Sequence, residues 1–146
     1  NAYFDQFTGF DTNPRSTLRH QFAHLASTLG WKEGSKEWKC GRAKLFGEEF
    51  ASIFGSEGTL AEWQRFCASV GIEGIPDTVK KCKKALRRNV HVNIINLLEH
   101  QRNPAVPLIT YGSYRVFRSS ISQPSMCFPR TAAKENEFLT QLLRKL

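Results

Sequence analysis

Apolar side chains in this chain recur every three or four residues and are interrupted by glycine, a combination that favours short helices over strands. Leu18, Phe22, Leu25 and Leu29 make the first run, and Gly30 closes it. Asn13-Pro14 reads as its cap, followed by Pro at the first helical position. A second run over Ser35 to Phe54 places Ala43, Phe46, Phe50, Ile53 and Phe54 on one side, with Ser35 as cap. Gly41 and Gly47 inside that helix each cost about 1 kcal/mol relative to Ala, which points to a kink or a close helix crossing. Thr59 and Glu62 have the spacing of a capping box, and Leu60, Trp63, Phe66, Cys67 and Val70 share the face of the third helix behind it.

Asp77 is the expected cap of a fourth helix, Thr78 to Arg88, with Val79, Cys82, Ala85 and Leu86 as a thin apolar stripe. A fifth helix, Asn93 to Gln101, turns Ile94, Leu97 and Leu98 inward. Pro104 and Pro107 punctuate the loop after it. The segment 108–121 fits a helix through Tyr111, Tyr114, Phe117 and Ile121, or a strand through Ile109, Tyr111 and Val116. A last helix is expected from Phe128-Pro129, carrying Leu139, Leu142, Leu143 and Leu146. Phe4, Phe7 and Phe10 mark residues 1–12 as an aromatic arm over the core. The expected fold is therefore all-α, a single irregular globule of six to seven short helices over residues 1–146. A hydrophobic content of 40%, with 11 Phe and 3 Trp, is enough to fill such a core. No apolar run approaches the roughly 20 residues that span a bilayer, and Asn1–Phe10 carries no signal-peptide pattern.

The net charge of +8 is unevenly spread. Residues 1–77 hold eight basic and ten acidic side chains; residues 78–134 hold eleven basic ones and a single acid, Glu99. Six of the cations, Lys80, Lys81, Lys83, Lys84, Arg87 and Arg88, lie within nine residues of the fourth helix. At 100° per residue they fall opposite the apolar stripe. Like charges this close repel one another, and the face gains when polyanion phosphates neutralise it and release counterions. Arg115 and Arg118 extend the track, and Arg102, Arg130 and Lys134 add to the same excess; Tyr111, Tyr114 and Phe117 beside them read first as core residues and second as base-stacking partners. Nucleic acid is the first expectation for the partner and an acidic protein segment the second, with a merely solvated face as the plain alternative.

Catalytic signatures are absent: no G-x-S-x-G and no phosphate-cradling glycine loop. Glu48-Glu49 and Glu135-x-Glu137 do not face one another on a helix. His20 and His24 have a metal-binding i, i+4 spacing, but Gln21 stands where a zinc protease carries Glu, and surface histidines are the simpler reading. Cys40, Cys67, Cys82 and Cys127 match no common zinc module and read as reduced, partly buried thiols, with a disulfide framework as the alternative. Trp31, Trp38 and Trp63 each sit near an apolar stripe and read as core. The expectation is a non-enzymatic binding module without metal, cofactor, membrane or small-molecule substrate, intracellular and nuclear.

Phe22-x-x-Leu25-Ala26 leading to Gly30-Trp31, Leu60-x-x-Trp63, Cys82-Lys83-Lys84, His91-Val92-Asn93-Ile94 with Leu97-Leu98, and Phe128-Pro129 with Ala133-Lys134 carry a resemblance. Taken together, the chain resembles a helical domain of filamentous-fungal proteins. That resemblance is diffuse and rests mostly on core and cap positions. It implies a fungal, intracellular, non-secreted protein, and it implies nothing about mechanism.

Overall fold

A computed structural model of the chain describes residues 17–89, 92–109, 115, 119, 128–129, 131–132 and 136–140, with backbone only at 88 and 89. The protein is an all-α globule. Its helices are α1 (Leu18–Leu29), α2 (Lys36–Phe54), α3 (Leu60–Ser69), α4 (Val79–Asn89) and α5 (Ile94–Arg102). The aromatic arm at 1–12, Cys127 and most of the 108–121 segment lie outside the described residues. Within that segment Arg115 and Ser119 are helical, and Ser119 Oγ donates to the Arg115 carbonyl at 3.2 Å.

Side-chain caps set most of the helix starts. Ser35 accepts from the Trp38 N–H at 3.3 Å, and Asn93 accepts from Ile95 at 2.9 Å and Asn96 at 3.4 Å. Two expected caps move. The cap of α1 is Thr17, extended at φ −66° and ψ 157°, whose hydroxyl accepts from His20 at 3.1 Å; Asn13 lies outside the described residues. For α4 the cap is Thr78 rather than Asp77, because the Thr78 hydroxyl accepts from the Lys81 N–H at 3.2 Å while the Asp77 carboxylate turns to the Lys81 ammonium. The last helix also departs from expectation. Phe128 and Pro129 are not helical, 131–132 are, and Asn136 interrupts the run. Asn136 Oδ1 accepts from Leu139 at 2.9 Å, so it caps a fresh helical stretch at 137–140, and its Nδ2 donates to the Gly55 carbonyl at 3.1 Å.

The core is aromatic at its centre. Phe50 lies 5.2 Å from Phe54, 5.7 Å from Phe138 and 6.5 Å from Phe66 between ring centroids, and Trp63 lies 4.8 Å from Phe138. Each such pair adds about 0.5–1.5 kcal/mol beyond area burial. Trp63 is buried within this cluster, while Trp31 and Trp38 pack half-buried against Phe22. Gly47 lets α2 approach the 131–132 turn: an added Cβ would stand 3.2 Å from that of Ala132. This is the close crossing that a glycine inside α2 suggested.

Helix α5 is buried on every side from Ile94 to Glu99. Its polar residues are satisfied in place. Asn96 donates to the Pro107 carbonyl at 3.2 Å and accepts from Ile109 at 2.8 Å, which lays residues 107–109 along the helix. Glu99, 4% exposed, receives two bonds from Arg19 at 2.6 and 3.2 Å, tying α5 to α1.

The α2–α3 turn is built around one carboxylate. Glu62 Oε1 accepts from the backbone N–H groups of Glu57, Gly58 and Thr59 at 3.1, 2.7 and 3.1 Å. Burial pushes its pKa up, but these amides, with that of Ser56, prevail and hold it below the usual carboxylate range. Gly55, at φ 96°, closes the turn, and a Cβ there would overlap the Glu62 carboxylate. A depressed folded-state pKa contributes stability above the unfolded value, and that stability is lost as pH falls through the folded value. Glu62→Gln is expected to cost about 1 kcal/mol at neutral pH, with the gap to wild type closing towards pH 3. Gly55→Ala is expected to cost about 2 kcal/mol or more at any pH. Urea unfolding of both variants at pH 7 and pH 3 checks this.

Candidate nucleic-acid interface

Helix α4 packs chiefly against α3. The sequence between them, Val70 to Thr78, is pinned at Pro76, whose carbonyl accepts from Gln64 Nε2 at 2.9 Å and from the Cys82 thiol at 3.8 Å. On the inner face of α4, Cys82 and Leu86 are buried at 0% and 1% exposure, and Val79 packs half-buried beside them. The apolar stripe of the sequence is therefore the face that anchors the helix, and the cations stand on the remaining surface.

Those cations divide by what they touch. Lys80, Lys84 and Arg87 are exposed and make no ion pair or hydrogen bond among the described residues. Lys81 is exposed too, but its ammonium lies 3.1 Å from the Asp77 carboxylate four residues earlier. The hydrogen bond from Lys81, aided by its charge, holds the Asp77 carboxyl below its ordinary range. Lys83 is half-buried, with its ammonium 5.4 Å from the centroid of the Trp63 ring, a cation–π distance. Arg115 is exposed on a separate segment. Arg118 and the side chain of Arg88 lie outside the described residues.

Two charges nearby are spent inside the fold. Glu99 faces inward to Arg19, so the acid of the basic region contributes nothing to neutralising its surface. Arg102, which the sequence placed with the basic excess, is drawn in against Glu49 at 3.7 Å, and both side chains are largely buried. The Asp77–Lys81 pair has the helical i, i+4 spacing and could be read from sequence. The contact of Lys83 with Trp63, 20 positions apart, could not.

Two small clefts lie elsewhere among the described residues. A cleft of about 190 Å³ between α1 and α2 is lined by Phe22, Trp38, Arg42 and Phe46, and one of about 200 Å³ lies where α2 meets Ala132 and Asn136. Both fall short of the roughly 300–1,000 Å³ common for small-molecule sites. The guanidinium of Arg42 is stacked 5.6 Å from the Trp38 ring and 5.0 Å from that of Phe46, which closes the floor of the first cleft. His20 and His24 are exposed, and among the described residues no group of three His, Cys, Asp or Glu is placed to hold a metal. No described helix is long and apolar enough to cross a membrane. Set against protein-family models, curated proteins and solved structures, the chain matches none.

The anchoring face carries its own chemistry. Cys67 of α3 and Cys82 of α4 are both fully buried, and both are free thiols, as is the exposed Cys40. Burial, then the adjacent Cys82 sulfur, pushes the Cys67 thiol up to about 12. Because the reagent must reach the sulfur, iodoacetamide at pH 8 is expected to label exposed Cys40 and to spare the buried Cys67 and Cys82 until the protein is unfolded; peptide mass mapping reads this. A raised folded-state pKa contributes stability that is complete below the unfolded thiol value and is lost as pH rises towards the folded one. Thermal stability is therefore expected to decline from about pH 9 upward, and less so in Cys67→Ala.

Proposed function

We propose that this chain is a non-catalytic binding module that contacts nucleic acid through phosphates laid on the outer face of α4. The observation that carries this reading is the set of exposed, unneutralised cations on a helix whose opposite face is fixed in the core. A rigid array of like charges raises the energy of the free protein, and a polyanion lowers it by releasing its own condensed counterions. The exposed residues of α4 whose side chains are described are all Lys or Arg, which hold phosphate without reading base edges, so binding is expected to show little base preference. The setting that goes with this partner is intracellular and nuclear.

Fluorescence anisotropy with labelled duplex and single-stranded DNA and RNA, at several salt concentrations, tests the proposal. Wild type is expected to bind at low salt with affinity falling steeply as salt rises. Lys84→Glu combined with Arg87→Glu is expected to weaken binding about tenfold or more without changing the thermal midpoint by more than a few degrees. If wild type fails to bind any of the four probes at low salt, the face belongs to an acidic protein segment or to solvent.

A further inference from the structure

The six cations of α4 are equivalent in sequence, and the five whose side chains are described are unequal in structure. We infer that phosphate is taken by one stripe, Lys80, Lys84 and Arg87; that Asp77 withholds Lys81 from it as an internal competitor; and that Lys83 belongs to the core. This rests on the phosphate-binding reading above.

The stripe follows from position. At 100° per residue Lys80, Lys84 and Arg87 fall within a sector about 60° wide, and at 1.5 Å rise they span about 10 Å along the axis. All three are exposed and none has a partner among the described residues. Over that length one strand of a duplex presents about three charges. Lys81 and Lys83 flank the stripe on opposite sides, and each has an occupation. The Lys81 ammonium is 3.1 Å from Asp77, with both side chains largely exposed at 66% and 80%. Such a pair is weak, so phosphate competes with Asp77 on nearly even terms. The Asp77 carboxylate also sets a fixed negative charge beside the stripe, at the end nearest Lys80. Lys83 lies over Trp63, itself 1% exposed. Its four-carbon stem covers the edge of the core, and turning outward to a phosphate would uncover that ring.

The assignment reverses the usual expectation at one residue: deleting Asp77 improves binding. Asp77→Asn is expected to tighten duplex binding at low salt by about two- to fivefold, the range of an exposed pair, and to steepen the salt dependence. Lys81→Gln is expected to weaken binding less than Lys84→Gln does, and, combined with Asp77→Asn, to leave only the smaller gain that comes from removing the negative charge beside the stripe. The triple variant Lys80→Gln, Lys84→Gln, Arg87→Gln is expected to flatten the slope of log K against log salt by about 2.7 on duplex DNA, at about 0.9 per phosphate. Its thermal midpoint should hold or rise by about 1 °C as the repulsion is relieved. Lys83→Gln is expected to lower the thermal midpoint while shifting the slope by less than about 0.5.

The outcomes separate the two levels. Wild type that fails to bind overturns the phosphate reading itself. Wild type that binds, with a slope unmoved by the triple variant, overturns only the stripe. Asp77→Asn that weakens binding or leaves it unchanged removes the competitor role. Lys83→Gln that flattens the slope as much as Lys84→Gln alone returns Lys83 to the binding face.

Discussion

The pair between half-buried Arg19 and the buried carboxylate of Glu99 is the constraint on which the rest of the molecule leans. Glu99 sits in α5, a helix enclosed on every side, and a carboxylate there is tolerable only with a fixed counter-charge and geometrically good hydrogen bonds. Arg19 supplies both from α1, 80 positions away in the chain. Removing Arg19 would leave the Glu99 carboxylate buried without its counter-charge, the costly direction of breaking such a pair. The pair therefore specifies how α1 closes over α5. It also has an electrostatic consequence: the one acid within 78–134 is consumed in the interior, and the surface of that half of the chain keeps its positive excess.

Arg102 and Glu49 repeat the logic across α2 and α5 at 3.7 Å. Together the two pairs remove one cation and one acid from the basic half and join them to oppositely charged partners from the acidic half. Among the described residues, the exposed cations that remain lie mostly on α4, with Asp77 as a near neighbour of opposite sign, and Arg115 stands on a separate segment.

That face is positioned by packing. Cys82 and Leu86 hold α4 to α3, the Pro76 carbonyl is bonded from both helices, and Trp63 supports Lys83 from below while contacting Phe138 in the aromatic centre. The α2–α3 turn, with Glu62 bonded to successive amides and Gly55 beneath it, fixes where α3 begins. Asn136 joins that turn to the 137–140 stretch and so to Phe138. Ring contacts and hydrogen bonds together thus connect the cation face to the centre of the core.

Apolar spacing and side-chain caps were legible in the residues themselves, because a helix start needs a nearby acceptor and a buried stripe needs a 3.6-residue period. Ser35, the Thr59–Glu62 box and Asn93 are local features of this kind, as is the amphipathic division of α4. The misplaced cap at Asp77 arose because Thr78, equally able to cap, follows it directly and the Asp77 carboxylate bonds Lys81 instead. Tertiary structure alone decided the rest. Glu99 is polar yet buried, and nothing in its local pattern separates it from a surface residue, since its partner Arg19 lies 80 positions away. For the same reason six neighbouring cations looked interchangeable. Charge, helical angle and the i, i+4 spacing of Asp77 and Lys81 follow from sequence; which lysine lies on a tryptophan and which is left facing water follows from what the fold brings beside each one.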